Sequence, residues 1–278
     1  MIRCGRISYT NDLPVYAAFD AGAVEFPGTL VAGVPTELNA MLLAGALDVS
    51  PISSYFYAQH ADALVLLPEI CIGSRREVRS IYCISAQPQS SLAGVPIAVT
   101  RESATGRALF ATICAAHYGF TPSFVEADDP FAEYAATGSP CVVIGDRAID
   151  AFLAAPREHA YDLGDLWHEL TGLEMVYAVW AVRRDVLERD RNGMNDLHRA
   201  LTDSLEWGHR NIGDVARQAQ SQIERPPGFY DAYYGALNFR FDGSAQTGLS
   251  SFLAAASATG LLNAAPRLEF FNEVPSRV

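Results

Sequence analysis

The sequence predicts an α/β protein of two lobes joined by two crossover strands, with a ligand cleft between the lobes. Three observations predict it. One design recurs three times, an apolar strand that runs through a small polar loop into a helix start: Gly5-Arg6-Ile7-Ser8-Tyr9-Thr10-Asn11-Asp12, Leu47-Asp48-Val49-Ser50-Pro51-Ile52-Ser53-Ser54, and Pro96-Ile97-Ala98-Val99-Thr100-Arg101-Glu102-Ser103-Ala104-Thr105. The alternation of strand and helix signals begins afresh at Gly94, as a second α/β unit would. Two long apolar runs, near residues 82 and 179, serve as the strands by which the chain leaves the first lobe and returns, so residues 1–84 and 178–278 form lobe one and residues 85–177 lobe two. Open α/β sheets bind ligands beyond the carboxyl ends of their strands, and all three loops are expected there.

The elements follow in order. The chain enters a strand pattern at once, and Asn11 or Asp12 is then placed to cap a helix opening Leu13-Pro14-Val15-Tyr16, with proline in the first turn where its missing N–H costs nothing. A second helix follows Pro35, because Leu38, Met41 and Leu42 recur at helical spacing and Gly45 supplies a stop. The strand of residues 47–52 leads to a helix starting at Ser53 or Ser54. Continuous apolar runs at 63–72 and 80–85 are of the kind a sheet covered on both faces produces. Beyond Gly94 come a strand at 97–99, a helix at 104–117, strands near Phe124 and at 141–144, and a helix after Gly145-Asp146-Arg147. The run 175–182 leads into a mainly helical tail, clearest at 197–218 and 250–262, with Pro226-Pro227-Gly228 between them.

Composition narrows the function. Half of the 278 residues are hydrophobic and 19% are charged, enough for a well-buried core. No run of about eighteen apolar residues and no signal-peptide pattern is present, so a cytoplasmic location with no membrane partner is expected. A formal charge of −12 argues against a nucleic-acid partner, since the long-range field repels a polyanion. All twenty basic side chains are arginine, which excludes a lysine Schiff base, pyridoxal phosphate included, and a Walker-type phosphate loop. The five cysteines form no C-x-x-C pair and read as small buried hydrophobes. The six histidines show neither H-E-x-x-H nor a neighbouring cysteine, so no metal site is implied; no dinucleotide glycine fingerprint or G-x-S-x-G elbow appears either.

Chemistry is expected in the polar loops. N–H groups at a helix start have no intrahelical partner, the helix dipole adds a partial positive charge, and short hydroxyl side chains approach an anion without crowding it. Two or three such starts suit a small polycarboxylate. Asn11 brings a donor and an acceptor to a strand end, as a helix cap or as a group that handles the ligand. The same alternative holds for Ser53, Ser54, Ser103 and Thr105. Ser80 precedes the strand Ile81-Tyr82-Cys83-Ile84, where a hydroxyl adds nothing to capping; it is a ligand contact or a buried hydroxyl bonded to backbone. Asp146 either caps its helix or accepts from a ligand hydroxyl. Arg75, Arg76, Arg79, Arg101 and Arg147 are the permanent cations nearest these loops.

The chain resembles the chorismate dehydratases that open the futalosine route to menaquinone. The resemblance rests on Gly5-Arg6-Ile7-Ser8-Tyr9-x-Asn11-x-Leu13-Pro14, Val34-Pro35-Thr36-Glu37-Leu38-Asn39, Leu47-Asp48-Val49-Ser50-Pro51-Ile52-Ser53-Ser54, Glu102-Ser103-Ala104-Thr105, Ile144-Gly145-Asp146-Arg147 and Tyr177-Ala178-Val179-Trp180-Ala181-Val182-Arg183-Arg184-Asp185. It spans residues 5 to about 185. It implies the bilobed type II periplasmic-binding-protein fold and the loss of water from chorismate, a small dicarboxylate, to give 3-[(1-carboxyvinyl)oxy]benzoate without metal or organic cofactor. It implies Asn11 and Ser80 as catalytic, and Ser8, Tyr9, Ser53, Ser54, Ser103, Ala104, Thr105, Gly145 and Asp146 as substrate-binding. The expected base is the substrate's own enolpyruvyl carboxylate. Two alternatives share the fold: a cytoplasmic small-anion binding protein, and a related enzyme of the same route acting on a cyclic futalosine derivative.

Overall fold

The computed structural model describes residues 1–101 and 104–273. In chain order the elements are β1 (Ile2–Ile7), α1 (Leu13–Asp20), β2 (Gly28–Gly33), α2 (Pro35–Leu43), β3 (Val49–Ser53), α3 (Ser54–Gln59), β4 (Leu64–Ser74), β5 (Ile81–Ile84), β6 (Pro96–Val99), α4 (Ala104–Ile113), β7 (Ser123–Glu126), α5 (Pro130–Thr137), β8 (Cys141–Ile144), α6 (Gly145–Ala154), β9 (Ala160–Asp162), α7 (Leu163–Thr171), β10 (Met175–Arg183), α8 (Arg184–Arg210), α9 (Ile212–Gln222), α10 (Phe229–Ala236), β11 (Leu237–Phe241) and α11 (Gly243–Ala258). They divide into two compact units. Unit 1 holds Met1–Gly73, Ala178–Asp242 and the described residues from Arg267 on; unit 2 holds Ser74–Tyr177 and Gly243–Pro266.

Unit 1 is built on a six-stranded mixed sheet in the order β11-β4-β10-β3-β1-β2. Strand β1 runs parallel to β2 and β3, and β10 runs antiparallel to β3 from Ala178↔Ser53 to Val182↔Val49. Both β3 and β10 are buried along nearly their whole length, β10 as an apolar run and β3 with Ser50 buried between Val49 and Pro51. Because β1 and β3 are parallel, their carboxyl ends bring the loop of Ser8 to Asn11 and the Ser53-Ser54 pair to one edge of the sheet.

A buried relay locks this sheet to its first helix: Trp180 Nε1 donates to Tyr16 Oη at 3.0 Å, and Tyr16 donates to the Gly5 carbonyl at 3.0 Å. Helix α8 crosses α1 closely. Ser204 Oγ donates to the Val15 carbonyl at 2.6 Å, and a Cβ on Gly208 would collide with the Pro14 carbonyl. Near its start α8 is broken at Asp190 (φ −153°, ψ 63°), whose carboxylate accepts from Gly193 N at 2.9 Å and so caps the longer second segment.

Unit 2 has a five-stranded sheet in the order β7-β6-β8-β5-β9, with β6 parallel to β7 and β8, and β5 antiparallel to β8 and β9. Its core gathers Tyr82 and Ile84 of β5, Ala98 of β6, Cys141 and Val143 of β8, and Ala148 and Ala151 of α6, with Phe152 stacked on Tyr82 at 4.8 Å.

The division corrects the expected boundaries in two places. Residues 74–84 belong to unit 2 rather than lobe one, since β5 pairs with β8 from Ile81↔Ile144 to Ile84↔Cys141 and with β9 on its other side. The strand that ends where unit 1 gives way to unit 2 is β4. The runs at 63–72 and 80–85 are alike in composition, and only their pairing tells them apart. The tail also divides, because α11 is part of unit 2, with Phe252 edge-on to Trp167 at 6.0 Å and Ser244 Oγ donating to Glu174 Oε1 at 2.9 Å. An amphipathic helix announces that it has a buried face without naming what covers it.

Candidate functional site

In unit 1 the loop after β1 starts with Ser8, which is exposed and whose N–H closes on the Gly33 carbonyl at 3.1 Å. Tyr9 is extended (φ −107°, ψ 158°) and opens a 3-10 turn over Thr10–Asp12. Asn11 therefore stands inside that turn. The residue flanking the start of α1 is Asp12, and no side-chain bond caps the helix. The Asn11 amide oxygen is buried with no hydrogen-bond partner among the described residues. Burying such an acceptor unpaired costs about 1–3 kcal/mol, a cost that a donor from a bound molecule would relieve. The turn itself is held from α10, where Tyr234 Oη donates to the Thr10 carbonyl at 2.9 Å with both residues buried. At the end of β3, Ser53 Oγ accepts from Phe56 N at 3.2 Å and caps α3, while Ser54 is fully buried as the helix's first residue.

In unit 2 parallel pairing of β6 with β8 and antiparallel pairing of β5 with β8 bring three strand ends to one edge. The carboxyl ends of β6 and β8 lie there with the amino end of β5. Ser80 is buried at that edge; its carbonyl accepts from Gly145 N at 2.8 Å, and its Oγ donates to the Val78 carbonyl at 3.3 Å. Gly145 has φ +67°, a conformation glycine adopts without cost, and Asp146 sits half-buried in the first turn of α6. Ala104 opens α4. Thr105 Oγ1 is buried and donates to the Tyr177 carbonyl at 3.1 Å, so this hydroxyl bonds to backbone. Ser103 lies outside the described residues.

One residue at this edge escaped the sequence reading. Thr100, just past β6, has a buried hydroxyl oxygen with no partner among the described residues. Its signal was present, a hydroxyl at the carboxyl end of a strand, inside a stretch already singled out. The cations expected near the loops are otherwise engaged: Arg75 with Glu174, Arg76 with Asp165, Arg79 with Glu77 and Arg101 with Glu126, while Arg147 donates to the Asp128 carbonyl at 3.1 Å. Among the described residues no three His, Cys, Asp or Glu side chains are grouped as metal ligands, and no helix is long and apolar enough to cross a membrane. All five cysteines are buried thiols, and burial pushes Cys4, Cys114 and Cys141 up to about 12, far from reactive thiolates.

Known structures of the same architecture define the class. The Candida albicans CA3427 gene product, described as having the generic periplasmic binding protein fold, superimposes with a TM-score of 0.68 at 9% identity, over 96% of this chain and 92% of that one. The alkanesulfonate-binding protein SsuA of Xanthomonas axonopodis pv. citri gives a TM-score of 0.68 at 15% identity over 98% and 96%. The chain thus has the periplasmic-binding-protein fold, here as two α/β units. Sequence comparison goes further: the family described as menaquinone biosynthesis matches residues 2–258, and the chorismate dehydratase of Thermus thermophilus is 32% identical over 247 residues, 82% of this chain and 85% of that relative. The chain belongs to the menaquinone biosynthesis family.

Proposed function

We propose that this protein is a chorismate dehydratase, converting chorismate to 3-[(1-carboxyvinyl)oxy]benzoate without a cofactor on the futalosine route to menaquinone. Family membership and the 32% identical Thermus thermophilus enzyme support the activity. The observation within the molecule that carries it is the buried amide oxygen of Asn11, which has no partner among the described residues. In the reaction the C–O bond to the ring hydroxyl breaks, a neighbouring ring C–H surrenders its electron pair to the ring, and proton and hydroxide leave as water. The ring becomes aromatic, so the step is strongly downhill and asks for positioning and modest acid–base help rather than a strong electrophile.

Asn11 and Ser80 orient the substrate and assist departure of the hydroxyl. The substrate's enolpyruvyl carboxylate takes the proton. Ser8, Tyr9, Ser53 and Ser54 at the unit 1 edge, and Ser103, Ala104, Thr105, Gly145 and Asp146 of unit 2, hold the substrate. In this reading the helix-start amides beside the serines and Thr105 do the anion binding, because the Oγ of Ser53 and of Thr105 is already bonded within the fold. The enzyme acts in the cytoplasm on one small dicarboxylate. Its net charge of −12 fits a partner list without nucleic acid.

The test is to incubate the purified protein with chorismate in metal-free buffer and follow products by chromatography and mass. A product lighter by one water that retains the enolpyruvyl group is expected. Unchanged chorismate with folded protein would overturn the reading in favour of a small-anion binding protein.

A further inference from the structure

Asp162 closes β9 and caps α7, yet it does more than a cap requires. Its Oδ1 accepts from Gly164 N at 2.9 Å and Asp165 N at 3.1 Å, the capping bonds, and also from Val78 N at 3.0 Å; its Oδ2 accepts from Arg79 N at 2.7 Å. All four donors are backbone amides. A serine, threonine or asparagine would cap the helix without burying a charge. The carboxylate is needed because both oxygens must accept, one toward the helix and one toward the residue that precedes Ser80.

That residue is strained. Arg79 has φ +59°, a left-handed conformation that disfavours any residue bearing a Cβ. The rest of the segment is gripped by the same helix start. Tyr177 Oη and Ser74 Oγ are 2.8 Å apart, and Ser74 donates to the Arg76 carbonyl at 2.7 Å, while Arg76 Nε donates to Asp165 Oδ1 at 2.9 Å. A Cβ on Gly164 would strike the Arg76 carbonyl, Tyr177 Oη and Ser74 Oγ, so glycine alone lets α7 approach this closely. Beyond Arg79, the Ser80 carbonyl is clamped by Gly145 N.

We infer that Asp162 is the positioning residue for Ser80: by holding the Val78 and Arg79 amides it fixes the strained turn that presents Ser80 at the sheet edge beside Gly145. The inference rests on the reading of Ser80 as a group that acts on chorismate. Asp162→Asn isolates it, because the amide oxygen retains the three bonds of Oδ1 while an NH2 faces the Arg79 N–H and releases the turn.

The experiment compares wild type, Asp162→Asn, Ser80→Ala and the double variant for thermal midpoint, kcat and KM with chorismate. Expected is a midpoint for Asp162→Asn near wild type, a kcat lowered by about tenfold or more with KM changed by less than about threefold, and a double variant no slower than Ser80→Ala alone. A wild-type kcat in Asp162→Asn, or a double variant that multiplies the single losses, overturns the inference and leaves Asp162 a structural cap. A Ser80→Ala enzyme of normal turnover instead sinks the reading of Ser80 itself, a separate and recognisable result. Should Asp162→Asn fail to fold, Asp162→Ser serves, since its hydroxyl caps α7 without reaching Val78 and Arg79; the same loss of kcat is expected, and its absence overturns the inference.

Discussion

The turn that carries Asn11 and the turn that leads to Ser80 are held by opposite means. In unit 1 a neutral hydroxyl, Tyr234 Oη, secures the Thr10 carbonyl and leaves the Asn11 amide oxygen without a partner among the described residues. In unit 2 a half-buried carboxylate with four amide donors secures the backbone before Ser80, whose own hydroxyl rests on the Val78 carbonyl at a long 3.3 Å. The two groups therefore wait in different states. Among the described residues nothing occupies the Asn11 acceptor, while Ser80 must exchange a weak internal bond before it can serve a ligand.

Removing the two side chains is the harshest way to break this comparison. Asn11→Ala and Ser80→Ala are each expected to lower kcat by about 10²-fold under saturating chorismate, the usual loss for a group that acts on the reacting atoms. Their stabilities are expected to part. Asn11→Ala removes a buried acceptor with no partner among the described residues and should leave the thermal midpoint unchanged or higher, whereas Ser80→Ala takes a donor from the Val78 carbonyl and should lower it slightly. Near-normal turnover in both would show that neither role is right.

A milder variant, Tyr234→Phe, tests whether the hydroxyl from the tail is what keeps Asn11 in place. About 1–2 kcal/mol of stability is expected to go in denaturant titration, as the buried Thr10 carbonyl loses its donor, together with a several-fold fall in kcat. A stability loss with unchanged kcat would confine Tyr234 to structure.

One carboxylate from each unit, Asp48 and Asp162, extends the contrast to pH. For Asp48 burial pushes the pKa up, but hydrogen bonds from Arg3 and Arg189 outweigh it and hold the carboxyl down at about 2. For Asp162 burial wins over its amide donors and the carboxyl rises to about 6. The signs are opposite. Asp48 contributes stability that is present above the ordinary carboxylate range and lost as pH falls toward 2, on the order of 1–2 kcal/mol given how exposed its arginine partners are. Asp162 contributes stability present below about 4 and lost as pH rises through about 6. Denaturation midpoints measured across pH 2–7 should lose their acid-side slope in Asp48→Asn and their slope between pH 4 and 6 in Asp162→Asn; matching profiles would refute the contrast. The smallest effect is expected from Ser53→Ala, which removes one helix cap for about 1 kcal/mol and raises KM if the start of α3 holds a substrate carboxylate.

What the sequence showed of the site is what local signals can show. Helix α2 was legible between Pro35 at its start and Gly45 (φ +75°) just beyond its end, because proline, helical spacing and a left-handed glycine all act within ten residues. Strand-end loops were legible too, since hydroxyl and amide residues after an apolar run mark a helix start whatever surrounds them. That Asn11 does not cap α1 was not, because a 3-10 turn moves it off the capping position and no pattern of single residues distinguishes a 3-10 turn from the first turn of an α-helix. Thr100 carries no such mark in the sequence, because the lack of a partner for its hydroxyl among the described residues is a property of its surroundings.

Local signals were enough for the α/β class, the alternation of elements, the polar loops at strand ends and the exclusion of lysine chemistry, because propensity, periodicity and composition belong to short stretches of chain. Only the tertiary structure decided that β5 and α11 belong to unit 2, that Asp162 meets amides 83 and 84 residues away, and that Tyr234 reaches back 224 residues to hold Thr10. Those partners are chosen by strand pairing and side-chain packing between segments far apart in the chain, and no local preference encodes which distant surface a buried face or a hydroxyl will meet.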